Sequence, residues 1–132
     1  MHINRKGLQF SKRDTFDYST LSIIIIEWLK RFKEDHSSHP FSGCPSCYIE
    51  HPLPSHPTDE EIQKGRDQFY SDIDEMIWAF EVDDMPDDCW LIEPKLDDML
   101  SGKLDFDKID AHTLKIEAGR KLFAEKFADM WI

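Results

Sequence analysis

Three stretches of the chain carry apolar residues at helical spacing. From Thr58 to Asp83, Ile62, Phe69, Ile73, Met76, Ile77 and Phe80 fall on one stripe of 3.6-residue period, with Gly65 on the same stripe. The start of this stretch is marked. Thr58 and Glu61 have capping-box spacing, Pro57 discourages helix upstream, and Asp59, Glu60 and Glu61 suit the positive end of a helix dipole. Trp78 lies off the stripe, at a boundary or on an exposed face. A second stripe, Leu21, Ile24, Ile25, Trp28, Leu29 and Phe32, predicts a buried face on a helix from Asp17 or Ser19 to Asp35. Ile23 and Ile26 spread its apolar surface around most of the circumference, as in a central helix or a homodimer contact. The third stretch, Ala111 to Met130, places Ile116, Gly119, Phe123, Phe127 and Met130 on one face.

The pattern breaks between these stretches. Pro40, Pro45, Pro52, Pro54 and Pro57 rule out helix or central strand over residues 36–57, so this is a long loop of the kind that is functional, metal-pinned or mobile. After the central stretch, Cys89-Trp90-Leu91-Ile92 and Leu96 to Leu100 predict short helical turns capping the core, ended by Ser101-Gly102. Gly7-Leu8-Gln9-Phe10 offers a little extended structure. The expected fold is all-α: a single domain over residues 1–132, with three main helices bundled around one core, short helical turns and the Pro-rich loop.

Charge sharpens this picture. The chain of 132 residues has a formal net charge of -11, which argues against direct binding to nucleic acid or to an anionic membrane. Residues 59–110 hold eighteen acids against five bases, with Asp83, Asp84, Asp87 and Asp88 the densest group. Helix-borne carboxylates of this kind suit a partner with a basic surface, and steering would make association fast and salt-sensitive. These four aspartates, with Trp78 and Trp90, are the expected partner contacts. Residues 1–13 are a basic arm, with Arg5, Lys6, Lys12 and Arg13 and no acid. The arm either pairs with the chain's own acids or serves an anionic ligand. The sole apolar run, Leu21 to Ile26, is too short to span a bilayer, no signal peptide is evident, and three cysteines fit a reducing compartment. The expected location is cytoplasmic.

One cluster has metal-ligand spacing. Cys44, Cys47, His51 and His56 read as C-x2-C-x3-H-x4-H, enough for a tetrahedral structural zinc that would pin the loop, with His36, His39 and Cys89 as substitutes. A single C-x-x-C is a half-site that other turns also use, and no cofactor is otherwise required. Asp72 with Glu75, and Glu81 with Asp84, have the spacing of Mg²⁺-binding pairs, but no matching pair stands on another helix, so a solvated acidic face is expected. No phosphate loop, nucleophile elbow or triad spacing is present.

Three segments together resemble a family of small proteins encoded by tailed bacteriophages. They are Phe16-Asp17-Tyr18-Ser19-Thr20 leading to Ile26-Glu27-Trp28-Leu29-Lys30-Arg31-Phe32-Lys33, then Asp74-Glu75-Met76-Ile77-Trp78-Ala79-Phe80-Glu81, then Lys115 to Phe127 closing on Met130-Trp131. They cover roughly half the chain in the family's order. The family's loop is shorter and lacks the C-x-x-C, so a zinc site would be particular to this chain. The resemblance implies a source and a helical fold, and carries over no activity, cofactor or catalytic residue. The expectation is a non-enzymatic phage accessory protein, an acidic inhibitor or adaptor that engages a host defence or nucleic-acid-processing protein. The alternatives are a protein that sequesters a nucleotide signal through the basic arm, and a small metal-dependent enzyme.

Overall fold

A computed structural model describes residues 2–4, 7–9, 18–38, 45–49 and 56–128. The elements run β1 (His2–Asn4), β2 (Gly7–Gln9), α1 (Tyr18–Ser38), α2 (Asp59–Glu81), β3 (Trp90–Ile92), β4 (Lys103–Leu104) and α3 (Phe106–Lys126), with 3₁₀ turns at Ser46–Tyr48 and Met99–Ser101. The protein is mostly helical, as the three stripes predict, with short strand pairs beside the helices. β1 pairs antiparallel with β2, His2 opposite Gln9, and β3 pairs antiparallel with β4, Trp90 opposite Leu104. The β3 strand falls where short helical turns were expected.

α2 forms for the reasons its sequence gives. Thr58 is extended, its Oγ1 accepts from the Glu61 N–H at 3.2 Å, and its own N–H donates to Glu61 Oε1 at 3.0 Å. The helix ends at Glu81, two residues before the expected Asp83, because Val82 turns extended while its N–H still closes on the Trp78 carbonyl at 2.9 Å. α2 supplies most of the core: Phe69, Ile73 and Met76 are fully buried with Leu29 of α1. Each such side chain contributes about 1.5–3 kcal/mol on leaving water. Trp28, Phe32, Leu122 and Phe123 pack against this cluster.

α1 and α2 run antiparallel, as two ion pairs show: Lys30 Nζ meets Glu81 Oε1 at 3.1 Å, and Lys33 Nζ meets Asp74 Oδ1 at 2.7 Å. Both pairs are solvent-accessible and fix register more than they stabilise. His36, near the end of α1, is engaged with the aromatic core: its Nδ1 lies 2.6 Å from Tyr70 Oη and its ring meets Phe69 edge-on. One residue of the expected buried stripe, Leu21, differs. Leu21 is exposed, as is Ile23, which widens the apolar surface, while Ser22 between them is buried.

α3 crosses α2 at close range because residue 119 is glycine. A Cβ on Gly119 would fall 2.4 Å from Ala79 Cβ and 2.8 Å from the Glu75 carbonyl oxygen. Ile116 is buried one turn earlier, and Phe123 sets its ring edge-to-face with Phe80 at 5.3 Å. α3 starts five residues before the expected Ala111. Asp105 caps it by accepting from the Lys108 N–H at 3.3 Å, and the exposed first turn gives no apolar stripe to read.

One carboxylate read as solvated is instead buried. Asp72 is only 8% exposed and accepts from Tyr48 Oη at 2.7 Å and Gln68 Nε2 at 2.8 Å. Tyr48 also packs on Phe69 at 5.2 Å, so the Ser46–Tyr48 turn is tethered to α2 by one hydrogen bond and one ring contact. The expected solvated face is therefore corrected at Asp72. Among the described residues, no helix is long and apolar enough to cross a membrane.

Candidate functional site

The acidic stretch begins where α2 stops. Extended Val82 carries Asp83 and Asp84 out of the helix, and the Asp83 carbonyl accepts from His112 Nε2 at 2.7 Å. A carbonyl cannot donate, so that nitrogen carries the proton. The His112 ring meets Trp78 edge-on at 5.5 Å, and Lys115 Nζ sits 4.0 Å over the Trp78 ring. Trp78 is thus half-buried under a cation. Asp88 is exposed but engaged, with Lys108 Nζ at 2.9 Å. The hydrogen bond from Lys108, and then its charge, hold the Asp88 carboxyl below its ordinary value; Asp88 in return raises the Lys108 ammonium. The carboxylates of Asp83, Asp84 and Asp87 are exposed, and no ion pair among the described residues compensates them.

Beyond them the chain forms an arm, residues 90–104, closed by its own polar groups. The Lys95 N–H donates to Ser101 Oγ at 2.8 Å, that hydroxyl donates to the Asp98 carbonyl at 2.7 Å, and the Leu100 N–H donates to Asp98 Oδ1 at 3.1 Å. At its base, the Asp105 N–H donates to the Cys89 carbonyl at 2.7 Å. Trp90 lies against Gly102: a Cβ there would fall 2.7 Å from Trp90 Cζ3 and 3.0 Å from Pro94 Cβ. Satisfying the backbone in this way turns the large side chains outward. Leu96 is 103% exposed and Leu100 94%, with Leu91, Ile92, Met99 and Phe106 exposed beside them. Glu93, Asp97 and Asp98 are exposed on the same arm. The expectation that Leu96 to Leu100 cap the core is corrected, since these residues face solvent. An apolar surface fringed with acids marks an interaction site more often than chance exposure does.

A cavity of about 550 Å³ opens beside the acidic exit, between the first turns of α1 and the end of α2. Its walls include Ile23, Ile26 and Phe80, and Asp83 and Asp84 stand in its lining. Arg120 reaches in from α3, its guanidinium carbon 5.0 Å from the Tyr18 ring centre and 5.9 Å from that of Phe80. Two buried polar atoms here have no hydrogen-bond partner among the described residues: Ser22 Oγ and Arg120 Nε. A separate apolar groove of about 370 Å³ lies between Ile24, Ile25 and Trp28 of α1 and Phe123 and Phe127 near the end of the chain, bordered by the Glu27–Arg31 pair at 2.7 Å.

The structure therefore brings Asp83 and Asp84 together with residues that sequence patterning did not single out: Ser22, Tyr18 and Arg120. No sequence signal could have found these, because they meet across some hundred residues of chain. The exposed arm had a weak signal, Asp97 and Asp98 set among Leu96, Met99 and Leu100 between Pro94 and Gly102. Of the zinc candidates, Cys44 and His51 lie outside the described residues. Cys47 is exposed with Lys126 Nζ 3.9 Å from its sulfur, and His56 is exposed. Among the described residues no group of three His, Cys, Asp or Glu converges as for a metal. Arg5, Lys6, Lys12 and Arg13, the alternative ligand set, also lie outside the described residues. Comparison with protein-family models, curated proteins and solved structures returns no match to this chain.

Proposed function

We propose that this is a non-enzymatic accessory protein, of the tailed-phage kind its three segments resemble, that acts by binding another protein. The three helices serve as a bundled scaffold, and the contact surface is the acidic exit of α2 together with the arm. The partner presents a basic surface with an apolar centre, on a host defence or nucleic-acid-processing protein that this chain inhibits or adapts. The observation that carries the reading is the arm itself. Leu96 and Leu100 stand fully in water on a segment held in shape by its own hydrogen bonds, next to aspartates without counter-charges among the described residues. Burying each leucine in a complex contributes about 1.5–3 kcal/mol. Leaving both in water stabilises nothing in the free protein. The surrounding carboxylates supply orientation and encounter rate.

The test uses tagged protein to retain a partner from bacterial cells, followed by affinity measurement with that purified partner. Leu96→Ser/Leu100→Ser weakens binding by about 100-fold or more, and Asp83→Lys/Asp84→Lys/Asp87→Lys abolishes it at low salt. Unchanged affinity in both variants sinks the proposal.

A further inference from the structure

The cavity at the end of α2 carries chemistry that the binding arm does not use. Ser22 is 7% exposed and lines the cavity, yet its hydroxyl has no partner among the described residues. Arg120 Nε, another lining group, is buried and also unpartnered. Leaving such groups unmatched is costly, so the site is organised for an acceptor that comes from outside the chain. An Nε–H on a cation and a hydroxyl are the donors that hold a carboxylate.

The mouth has the opposite character. Four carboxylates line the cavity, those of Glu27, Glu81, Asp83 and Asp84. Glu27 is paired with Arg31 at 2.7 Å and Glu81 with Lys30 at 3.1 Å, which leaves Asp83 and Asp84 for an incoming cation. The lining also includes the apolar side chains Ile23, Ile26 and Phe80. A phosphate or nucleotide would meet these acids unfavourably. A polyamine would satisfy the mouth and leave Arg120 and Ser22 unmatched. The volume of about 550 Å³ falls in the range that small organic ligands occupy.

We propose that this cavity binds a small zwitterion with an apolar body, an apolar α-amino acid. Its carboxylate meets Arg120 Nε–H and Ser22 Oγ, its ammonium meets Asp83 and Asp84, and its side chain lies against Ile23, Ile26 and Phe80. The three ligand parts correspond to three parts of the site, and the bound molecule adds no net charge. The idea goes beyond the partner-binding reading but shares Asp83 and Asp84 with it; Leu96→Ser/Leu100→Ser tells the two apart, because it weakens partner binding and leaves the amino-acid titration unchanged.

The test is a titration of the isotope-labelled full chain with L-phenylalanine and L-leucine, followed by amide resonances. Two single-ended analogues are run beside them: phenethylamine, which lacks the carboxylate, and 3-phenylpropionate, which lacks the ammonium. The expected result is saturable shifts at Ser22, Ile23, Asp83, Asp84 and Arg120, with each analogue binding at least about tenfold more weakly. Asp84→Asn, at an exposed position that leaves the fold intact, weakens phenylalanine by a similar factor and leaves 3-phenylpropionate unchanged. Four results overturn the proposal: no saturable shift up to about 10 mM, phenethylamine binding as well as phenylalanine, 3-phenylpropionate doing so, or shifts confined to the Trp28–Phe127 groove.

Discussion

Gly119→Ala offers a sharp test of how α3 sits on α2, because two effects of opposite sign compete. Replacing glycine inside a helix contributes about 0.8–1.0 kcal/mol in favour of the variant. Against it, the new methyl would fall 2.4 Å from Ala79 Cβ and 2.8 Å from the Glu75 carbonyl oxygen. Carbon atoms at ordinary contact lie about 3.5–4.0 Å apart, so the helices must separate by about 1 Å. The Glu75 oxygen belongs to the backbone of α2 and cannot rotate away. A separation of that size forfeits a quarter to a half of the dispersion attraction across the contact, and overpacking of this kind costs about 1–3 kcal/mol. The net expectation is a loss of up to about 2 kcal/mol, or a fall in Tm of up to roughly 10 °C for a chain of this size. Urea unfolding followed by far-UV circular dichroism reads it, with an unchanged m-value. Ala79→Gly in the same background should recover part of the loss, giving a coupling of about 1–2 kcal/mol in the double-mutant cycle. A variant more stable than the parent by about 0.8–1.0 kcal/mol, with no coupling to Ala79, would mean that propensity alone decides and that the helices do not meet at Gly119.

Three further outcomes follow from individual contacts. Tyr48→Phe leaves the buried Asp72 carboxylate short of one donor and should destabilise by about 1–3 kcal/mol, read as a shift in the urea midpoint; no shift would contradict the tether. Thr58→Ala removes the cap hydroxyl of α2 and should cost about 1 kcal/mol, with Thr58→Ser close to wild type by the same assay. The Asp88–Lys108 pair gives a pH signature. The lowered Asp88 carboxyl contributes stability that is present above its unfolded value and lost as pH falls through the folded one. The raised Lys108 ammonium contributes stability that is present below its unfolded value and lost as pH rises through the folded one. Asp88→Asn should therefore lie slightly below wild type across the neutral range and meet it at both extremes, with the gap closing in high salt. A gap that persists in strong acid would assign it to something other than the ion pair.

Local rules made the helices legible. The capping box at Thr58, Pro57 and a stripe from Ile62 to Phe80 are all short-range signals, and each corresponds to a feature of α2. Legibility failed where an apolar residue is not a buried one. Leu91, Ile92, Leu96 and Leu100 read as core-capping turns, but the arm satisfies its backbone through Ser101 and Asp98 and leaves those side chains in water. The three exposed residues of β3 show no alternation, so no strand pattern marked them. Asp72 failed for a different reason. Its burial depends on Tyr48 from a proline-rich loop, a contact that no helical periodicity encodes. The cavity lies further still from sequence reasoning, because Ser22, Asp84 and Arg120 come from the first turns of α1, the exit of α2 and the middle of α3. The aspartates at positions 83, 84 and 87 were legible as a charge cluster, whereas the apolar surface beside them was not.

The central claim is that the arm and the acidic exit form one binding surface. The most direct measurement is the affinity of the purified, retained partner for wild-type protein and for Leu96→Ser/Leu100→Ser, across a range of ionic strength. Exposed side chains contribute little to folding, so the variant should unfold within about 0.5 kcal/mol of wild type. Its affinity should nevertheless fall by about 100-fold or more, and wild-type affinity should weaken steadily as salt rises. Equal affinity of the two proteins, or an affinity indifferent to salt, would contradict the account.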